Sequence, residues 1–253
     1  MPDPVLFFAL AIPVVLLTGI AKGGFAGGLG TLAVPLLTLL IDPRMAAAIM
    51  LPILCVMDIF TAWQYRRNWN ARALKILLPG ALVGIIVGGL TFRLMNADMI
   101  RIIVGLMSLY FVLNYWFMDR NKPERTGQDQ NALKGGILGV LSGFSSFIAH
   151  AGGPPLSQYL FPLRLDKTVM VATSVMFFIT VNYVKLIPYA WLGQLSLDNL
   201  TLSLYLLPFA PIGVWLGIWM HNRVSNKIFY IICYSLLFLV GLKLLTEGVL
   251  ALL

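Results

Sequence analysis

Between residues 5 and 252 the chain is a succession of apolar segments, interrupted once by a long hydrophilic stretch, Asp119 to Asn131 (DRNKPERTGQDQN). The segments lie near 5–22, 25–41, 45–64, 74–93, 99–118, 134–149, 151–163, 168–190, 200–220 and 227–252. About 20 apolar residues cross a bilayer as a helix, and most of these runs reach or approach that length. Leucine, isoleucine, valine and phenylalanine run together, with glycine and proline among them and without the period-two alternation of a barrel strand. Only 11% of the residues are charged, against about 25% in soluble domains, so hydrocarbon is the main solvent. The expected fold is an all-α polytopic integral membrane protein with no soluble domain. Met1-Pro2-Asp3-Pro4 carries no basic side chain, so the first segment reads as a span and not as a signal peptide.

A net charge of +8 would point to nucleic acid in a soluble chain. Here most Lys and Arg fall in short loops, where they set topology, and no nucleic-acid partner is expected. Cys55 and Cys233 sit inside apolar segments without metal-ligand spacing and read as buried free thiols.

The two sides of the hydrophilic stretch look like copies. PGALVGIIVGG (79–89) aligns with PFAPIGVWLGI (208–218), laying Pro79 on Pro208, Gly84 on Gly213 and Gly88 on Gly217, and the same offset lays Ile102-Ile103 on Ile231-Ile232. Upstream, Pro35-Leu36 matches Pro155-Leu156. This predicts a first transmembrane repeat over 1–118, a polar linker over 119–133 and a second repeat over 134–253. Arg66, Arg67, Arg72 and Lys75 fill one loop of the first half, while the corresponding AWLGQLSLDNL has no Lys or Arg. His221, Arg223 and Lys227 mark a later loop, and Arg120, Lys122 and Arg125 the linker; Arg93 and Arg101 run against the bias. The positive-inside rule then places the linker in the cytoplasm and the N-terminus outside, with the halves inverted. Each half needs an odd number of crossings, which fits five segments or three spans plus a broken hairpin. The small-residue face of Gly84, Gly88 and Gly89 could pack within one protomer or across a homodimer.

AKGGFAGGLG (21–30) places five glycines in eight positions before a leucine-rich run. It lacks the third glycine of a dinucleotide motif and has no strand–helix units around it. A broken membrane helix fits better, since irregular backbone is tolerated at that depth where protein or a water-filled cavity covers it. A helix starting near Gly30 or Thr31 would aim free amides into such a cavity, suiting an anion, and Lys22 would add a full charge. The alternative is a close-packed helix crossing with Lys22 reaching to water. The second half repeats the theme in SGFSSFIAHAGGPPLSQYL (142–160). Here Ser142, Ser145, Ser146 and Ser157 offer hydroxyls, Gly152-Gly153 precede Pro154-Pro155, and His150 could donate to an oxyanion, carry a proton, or simply pack. Two glycine-broken segments at corresponding positions of inverted halves point to a midplane binding site.

Other polar residues inside apolar runs are Asp58, which could pair with a lysine or bind a proton, Asn182 and Lys185, which could bind substrate or hold helices together, and Thr173 with Ser174. Tyr65, Trp69, Tyr189 and Trp191 read as interfacial aromatics. The candidate substrate residues are therefore Lys22, Gly23, Gly24, Gly27, Gly28, Gly30, Thr31, Ser145, Ser146, His150, Gly152, Gly153, Ser157, Asn182 and Lys185, with His150 and Asp58 as candidates for proton or ion coupling.

GIAKGGFAGGLGTLAVPLL and GFSSFIAHAGGPPLSQYL, in that order around a short polar linker, resemble the TauE/SafE family of 4-toluene sulfonate uptake permeases. The resemblance covers nearly the whole chain. It implies transport of a sulfur-containing anion, such as sulfite, sulfoacetate or another sulfonate, across the bacterial inner membrane. By motif position the family's glycine signature falls on Gly23, Gly24, Gly27, Gly28 and Gly30, and its second copy on Gly152, Gly153 and Pro154. It says nothing of Lys22, His150 or Lys185, which rest on physical argument.

The function expected is a secondary transporter of a small anion, working by alternating access in the bilayer without a cofactor or metal. No ATP-binding motif is present, so an ion gradient, with proton or sodium as coupling ion, the membrane potential or the substrate's own gradient must drive it. A passive anion channel and a carrier of non-sulfur organic acids remain open. An enzyme is not expected: His150 and His221 are the only histidines, no HExxH occurs, and Ser145 or Ser146 with His150 lacks an orienting acid.

Overall fold

The computed structural model describes residues 3–25, 32–67, 69–113, 116–117, 130–221, 223 and 226–251, with the side chains of 226–234 and 236 outside the description. Gly27, Gly28, Gly30 and Thr31, residues 118–129 of the linker region and the Cys233 side chain therefore lie outside the described residues. Every regular element among the described residues is helical: α1 (Pro4–Gly24), α2 (Ala33–Leu37), α3 (Pro43–Tyr65), α4 (Ala71–Phe92), α5 (Ala97–Leu113), α6 (Ala132–Ala149), α7 (Gly153–Leu160), α8 (Lys167–Trp191), α9 (Leu197–Leu206), α10 (Phe209–Met220) and α11 (Asn226–Leu250). By length and apolarity α1, α3, α4, α6 and α8 can each cross a membrane, and α9 with α10, bent by 44° at Leu207-Pro208, can form a sixth span.

Local chemistry marks the helix starts. Asp3, Asp42, Asn70, Asn131, Asp166 and Ser196 each accept a first-turn backbone N–H, and Pro4 and Pro43 follow where no intrahelical donor is needed. The apolar segments near 25–41 and 151–163 do not become full spans. They hold the 5-residue α2 and the 8-residue α7. After α6 the chain reverses at His150, and α7 runs back until Tyr159 lies over Gly135 near the start of α6. The glycine and proline content of these two stretches leaves too few good helix formers for a second long helix.

Helix packing follows small residues, as expected where lipid removes the hydrophobic drive between helices. Gly19, Gly23 and Gly24 of α1 lie against the backbone of Gly213, Val214 and Gly217 in α10, so these two helices run parallel in close contact. Gly139 and Gly143 of α6 lie equally close to Leu77 and Ala81 of α4, and Gly84 to Val140, making a second parallel pair. A Cβ at Gly84 or Gly143 would clash with the facing carbonyl. The Gly84–Gly88 face is thus filled within the protomer, by α6 and Phe147. Helices α5 and α11 run antiparallel through Gly105 and Gly241, and α3 runs antiparallel to α8 with Tyr65 beside Val171 and Val175.

These contacts come in matched sets. Tyr65 donates to the Gly23 carbonyl at 2.7 Å, and Tyr189 donates to the Phe147 carbonyl at 2.7 Å. Arg44 at the start of α3 reaches the Phe92 carbonyl that ends α4, while Lys167 at the start of α8 donates to the His221 carbonyl that ends α10. Asp58 on α3 meets Asn182 on α8.

Candidate functional site

The site grows from the last turns of two helices, α1 and α6, which send buried side chains toward each other through the bundle. A helix C-terminus leaves up to four carbonyls without intrahelical donors and carries a partial negative charge. In α1 those carbonyls are answered by Tyr65 on Gly23 O and by the His221 ring, whose Nδ1 lies 2.6 Å from Gly24 O. Lys22, in the last turn of α1, leans over the face of Phe178. Its ammonium reaches the Asp58 Oδ1 at 2.5 Å, and Asn182 Nδ2 donates to Asp58 Oδ2 at 2.6 Å. All three side chains are buried: Lys22 is 6% exposed, Asp58 0% and Asn182 2%. The first buried cation is thus balanced by a buried carboxylate.

The end of α6 is built differently. His150 follows Ala149 in the left-handed conformation, at φ 52° and ψ 29°. Glycine is the usual occupant of that position. With it the chain folds back, His150 N–H bonding to Ser146 O and Ala151 N–H to Ser145 O. Lys185 from α8 then donates to Ser146 O at 2.9 Å and Ser146 Oγ at 3.0 Å, and its Nζ stands 2.8 Å from His150 Nδ1. His150 Nε2 lies 2.9 Å from the Ala47 carbonyl of α3. That oxygen can only accept, so Nε2 carries a hydrogen and Nδ1 is the atom turned to Lys185. Tyr189 holds the arrangement by donating to Phe147 O and stacking on the imidazole, ring centroids 6.2 Å apart. Lys185 is 0% exposed, and every group bonded to it is neutral or shares its proton.

Asn182 and Lys185 are three residues apart on α8, about 4.5 Å along the helix axis, so the two clusters are adjacent. Counted by residue type, Lys22, Asp58 and Lys185 are two bases and one acid. Burying a basic group without an acidic partner is costly. A lysine kept in that position needs a reason.

Several candidates take other parts. Ser145 donates to Leu141 O and Ser142 to Gly152 O, which closes the α6–α7 turn. Ser157 is buried on α7, away from the bonds made by Lys185. Gly23 and Gly24 remain helical and serve the contact with α10. Gly152 packs against Ser142 O, and Gly153 opens α7. Pro154 and Pro155 have no N–H, so the first turn of α7 offers little to an anion. Thr173 accepts from Asn70 N–H and joins α8 to α4. Trp69 and Trp191 are exposed, as aromatics at a membrane interface would be.

Tyr65 and Tyr189, expected from the sequence at the membrane interface, are instead buried, each drawn inward by a helix-end carbonyl that accepts its hydroxyl proton. The Ala47 carbonyl was not foreseen at all. The signal was present: each tyrosine follows its partner, Asp58 or Asn182, by seven residues, two helical turns on the same face. Among the described residues no group of three His, Cys, Asp or Glu could hold a metal ion.

A family model, the sulfite exporter TauE/SafE, matches residues 11–244. The chain belongs to the TauE/SafE family. It is accordingly an integral membrane protein of a family that transports sulfite and related sulfur anions. The TauE/SafE match spans both helix ends described above and all the residues gathered there. Comparison with curated proteins and with solved structures found no match.

Proposed function

We propose that the chain is a secondary carrier of a small sulfur oxyanion or organosulfonate, bound beside Lys185, Ser146 and His150 between two inverted halves. The carrying observation is Lys185, fully buried, with no carboxylate among its partners in the described residues. An anion entering this site would supply that lysine with a counter-charge. Lys185 and the Ser146 hydroxyl would hold its oxygens, and Asn182 would border the site. Lys22 serves instead to neutralise Asp58, and that ion pair makes His150 the better candidate for proton coupling.

The matched contacts support a duplicated architecture. In the proposed arrangement α1 to α5 and α6 to α11 are inverted copies, and alternating access rocks one against the other around the midplane. Arg66, Arg67, Arg72, Lys167 and Arg223 lie at one end of the bundle, where α3, α1 and α10 finish and α4 and α8 begin. That supports placing this end and the linker in the cytoplasm of a bacterial inner membrane, with the N-terminus outside. Burial of Lys185 favours a carrier over an open pore, since a conducting channel would hydrate it. Transporter membership and the tethering of the Ser145 hydroxyl favour a carrier over an enzyme.

Counterflow of labelled sulfite in proteoliposomes tests this reading. Vesicles preloaded with sulfite should show transient accumulation of label, competed by sulfoacetate or taurine according to the true substrate. Flux that never saturates and never exchanges would replace the carrier with a channel. Background rates with every sulfur anion would remove the substrate class.

A further inference from the structure

We infer that an oxyanion binds between Lys185 Nζ and His150 Nδ1, and that one proton from the solvent is taken up by His150 as it does so. The inference rests on the anion-site reading above and adds the coupling chemistry to it.

An ammonium has three N–H donors. In Lys185 all three are used, on Ser146 O, Ser146 Oγ and His150 Nδ1. The proton between Nζ and Nδ1 can sit on either nitrogen, because Ser146 O, Ser146 Oγ and Ala47 O accept equally well in both cases. The pair thus holds one surplus proton and one positive charge. It cannot hold a second at the observed separation of 2.8 Å, since two N–H groups would then face each other.

An arriving anion must take one of the three Lys185 donors. Ser146 O is one of the last four carbonyls of α6 and can only accept, so giving it up leaves a buried oxygen facing an anion, whereas the Ser146 hydroxyl can turn and donate to the anion itself without any change in proton count. Releasing Nδ1 leaves a bare lone pair facing the anion, but that atom alone can take a proton. Once it does, the Nζ–H···Nδ1 bond is gone and two bonds replace it, Nζ–H and Nδ1–H each donating to an anion oxygen. Nε2–H stays on Ala47 O, and Tyr189 keeps the ring in plane. The left-handed backbone at His150 acquires a purpose, because it turns the imidazole toward α8, where glycine would present nothing.

The charged and titratable groups around the pair come from three helices. Lys185 and Tyr189 face His150 from α8. Lys22 acts on both members of the pair from α1, and Asp58 and Cys55 act on Lys185 from α3. Asp58 is held by Lys22 and Asn182, which leaves His150 as the group that changes its proton count when the anion enters.

Calorimetric titration of the detergent-purified full chain, in buffers of different ionisation enthalpy, counts the protons. The probes are sulfite and methanesulfonate; the latter keeps one fixed charge, so any proton exchanged belongs to the protein. The expected result is uptake of about one proton per anion, with affinity rising about tenfold for each pH unit lowered. His150→Asn, whose side chain tolerates the left-handed backbone, should bind more weakly and take up none. Binding by the native chain without proton uptake would overturn the inference and leave the anion site standing. Uptake that persists in a folded His150→Asn chain would move the proton elsewhere and also overturn it. Failure of both probes to bind would overturn the site reading and this inference together.

Discussion

Among the described residues two lysines lie buried, Lys22 and Lys185, and they are held in opposite ways. Lys22 sits against a carboxylate, Asp58, that also accepts from Asn182. Lys185 sits against a serine, a helix-end carbonyl and a histidine. Both stabilise the negative end of a helix, α1 in one case and α6 in the other. Of the two, Lys22 alone has an acidic partner among the described residues. On the proposed reading, the comparison separates a cation that serves the fold from one that is kept for a ligand. A charged pair is costly to break, because removing one partner strands the other. A cation without an acidic partner is costly to keep, so removing Lys185 should cost the fold less than breaking the ion pair, the loss being its bonds to Ser146 and His150.

Breaking the comparison from the Lys22 side should give the largest effect. Lys22→Met leaves Asp58 stranded and should lower stability by about 3–5 kcal/mol, seen as a large fall in thermal midpoint in detergent. Adding Asp58→Asn to it should restore most of that loss. A Lys22→Met chain as stable as the parent would show that Asp58 is not an ion-pair partner. Next in size is a packing test. Gly84→Val would drive a side chain into the Val140 carbonyl and part α4 from α6. Overpacking of this kind typically costs about 1–3 kcal/mol, readable in the same melt, and an unshifted melt would deny the close approach.

Sharper tests follow with smaller energies. Ser146→Ala keeps the carbonyl but removes one partner of Lys185 and a candidate contact to the anion. Sulfite affinity should fall by about three- to tenfold, matching about 1 kcal/mol for one net hydrogen bond, with the melt nearly unchanged. Equal affinity would remove the hydroxyl from the site. The smallest contrast uses the matched tyrosines. Tyr65→Phe and Tyr189→Phe each lose one bond to a helix-end carbonyl, worth about 0.6 kcal/mol on average between membrane helices. Their melts should shift alike, but only Tyr189→Phe should also weaken sulfite binding, because Tyr189 lies on His150. Equal effects on binding would erase the distinction between the two ends.

Much of this is legible in the sequence alone. Apolar runs with one polar interruption give a helical membrane protein, and polar residues inside such runs stand out. Lys22, Asp58, His150, Asn182 and Lys185 are all visible on that ground. Their pairing is not. Lys22 reaches Asp58 because α1 continues through Gly23 and Gly24, whereas glycines in sequence suggest an earlier break. Those glycines serve a helix crossing, a role that depends on α10, nearly two hundred residues away. Amides at new helix starts look like the natural anion donors, yet α2 is 5 residues long and α7 begins with two prolines. The charged contacts gather instead at the finished ends of α1 and α6. A left-handed histidine is invisible in a sequence, since the position would ordinarily read as glycine.

The most direct test sets the two lysines against each other in one assay. Saturable sulfite counterflow would be measured in proteoliposomes for Lys185→Met and for the double variant Lys22→Met/Asp58→Asn, each shown folded by its melt. The account predicts background flux for Lys185→Met and measurable saturable flux for the double variant. Retained flux in Lys185→Met, with loss in the double variant, would contradict it and move the anion to the Lys22 end.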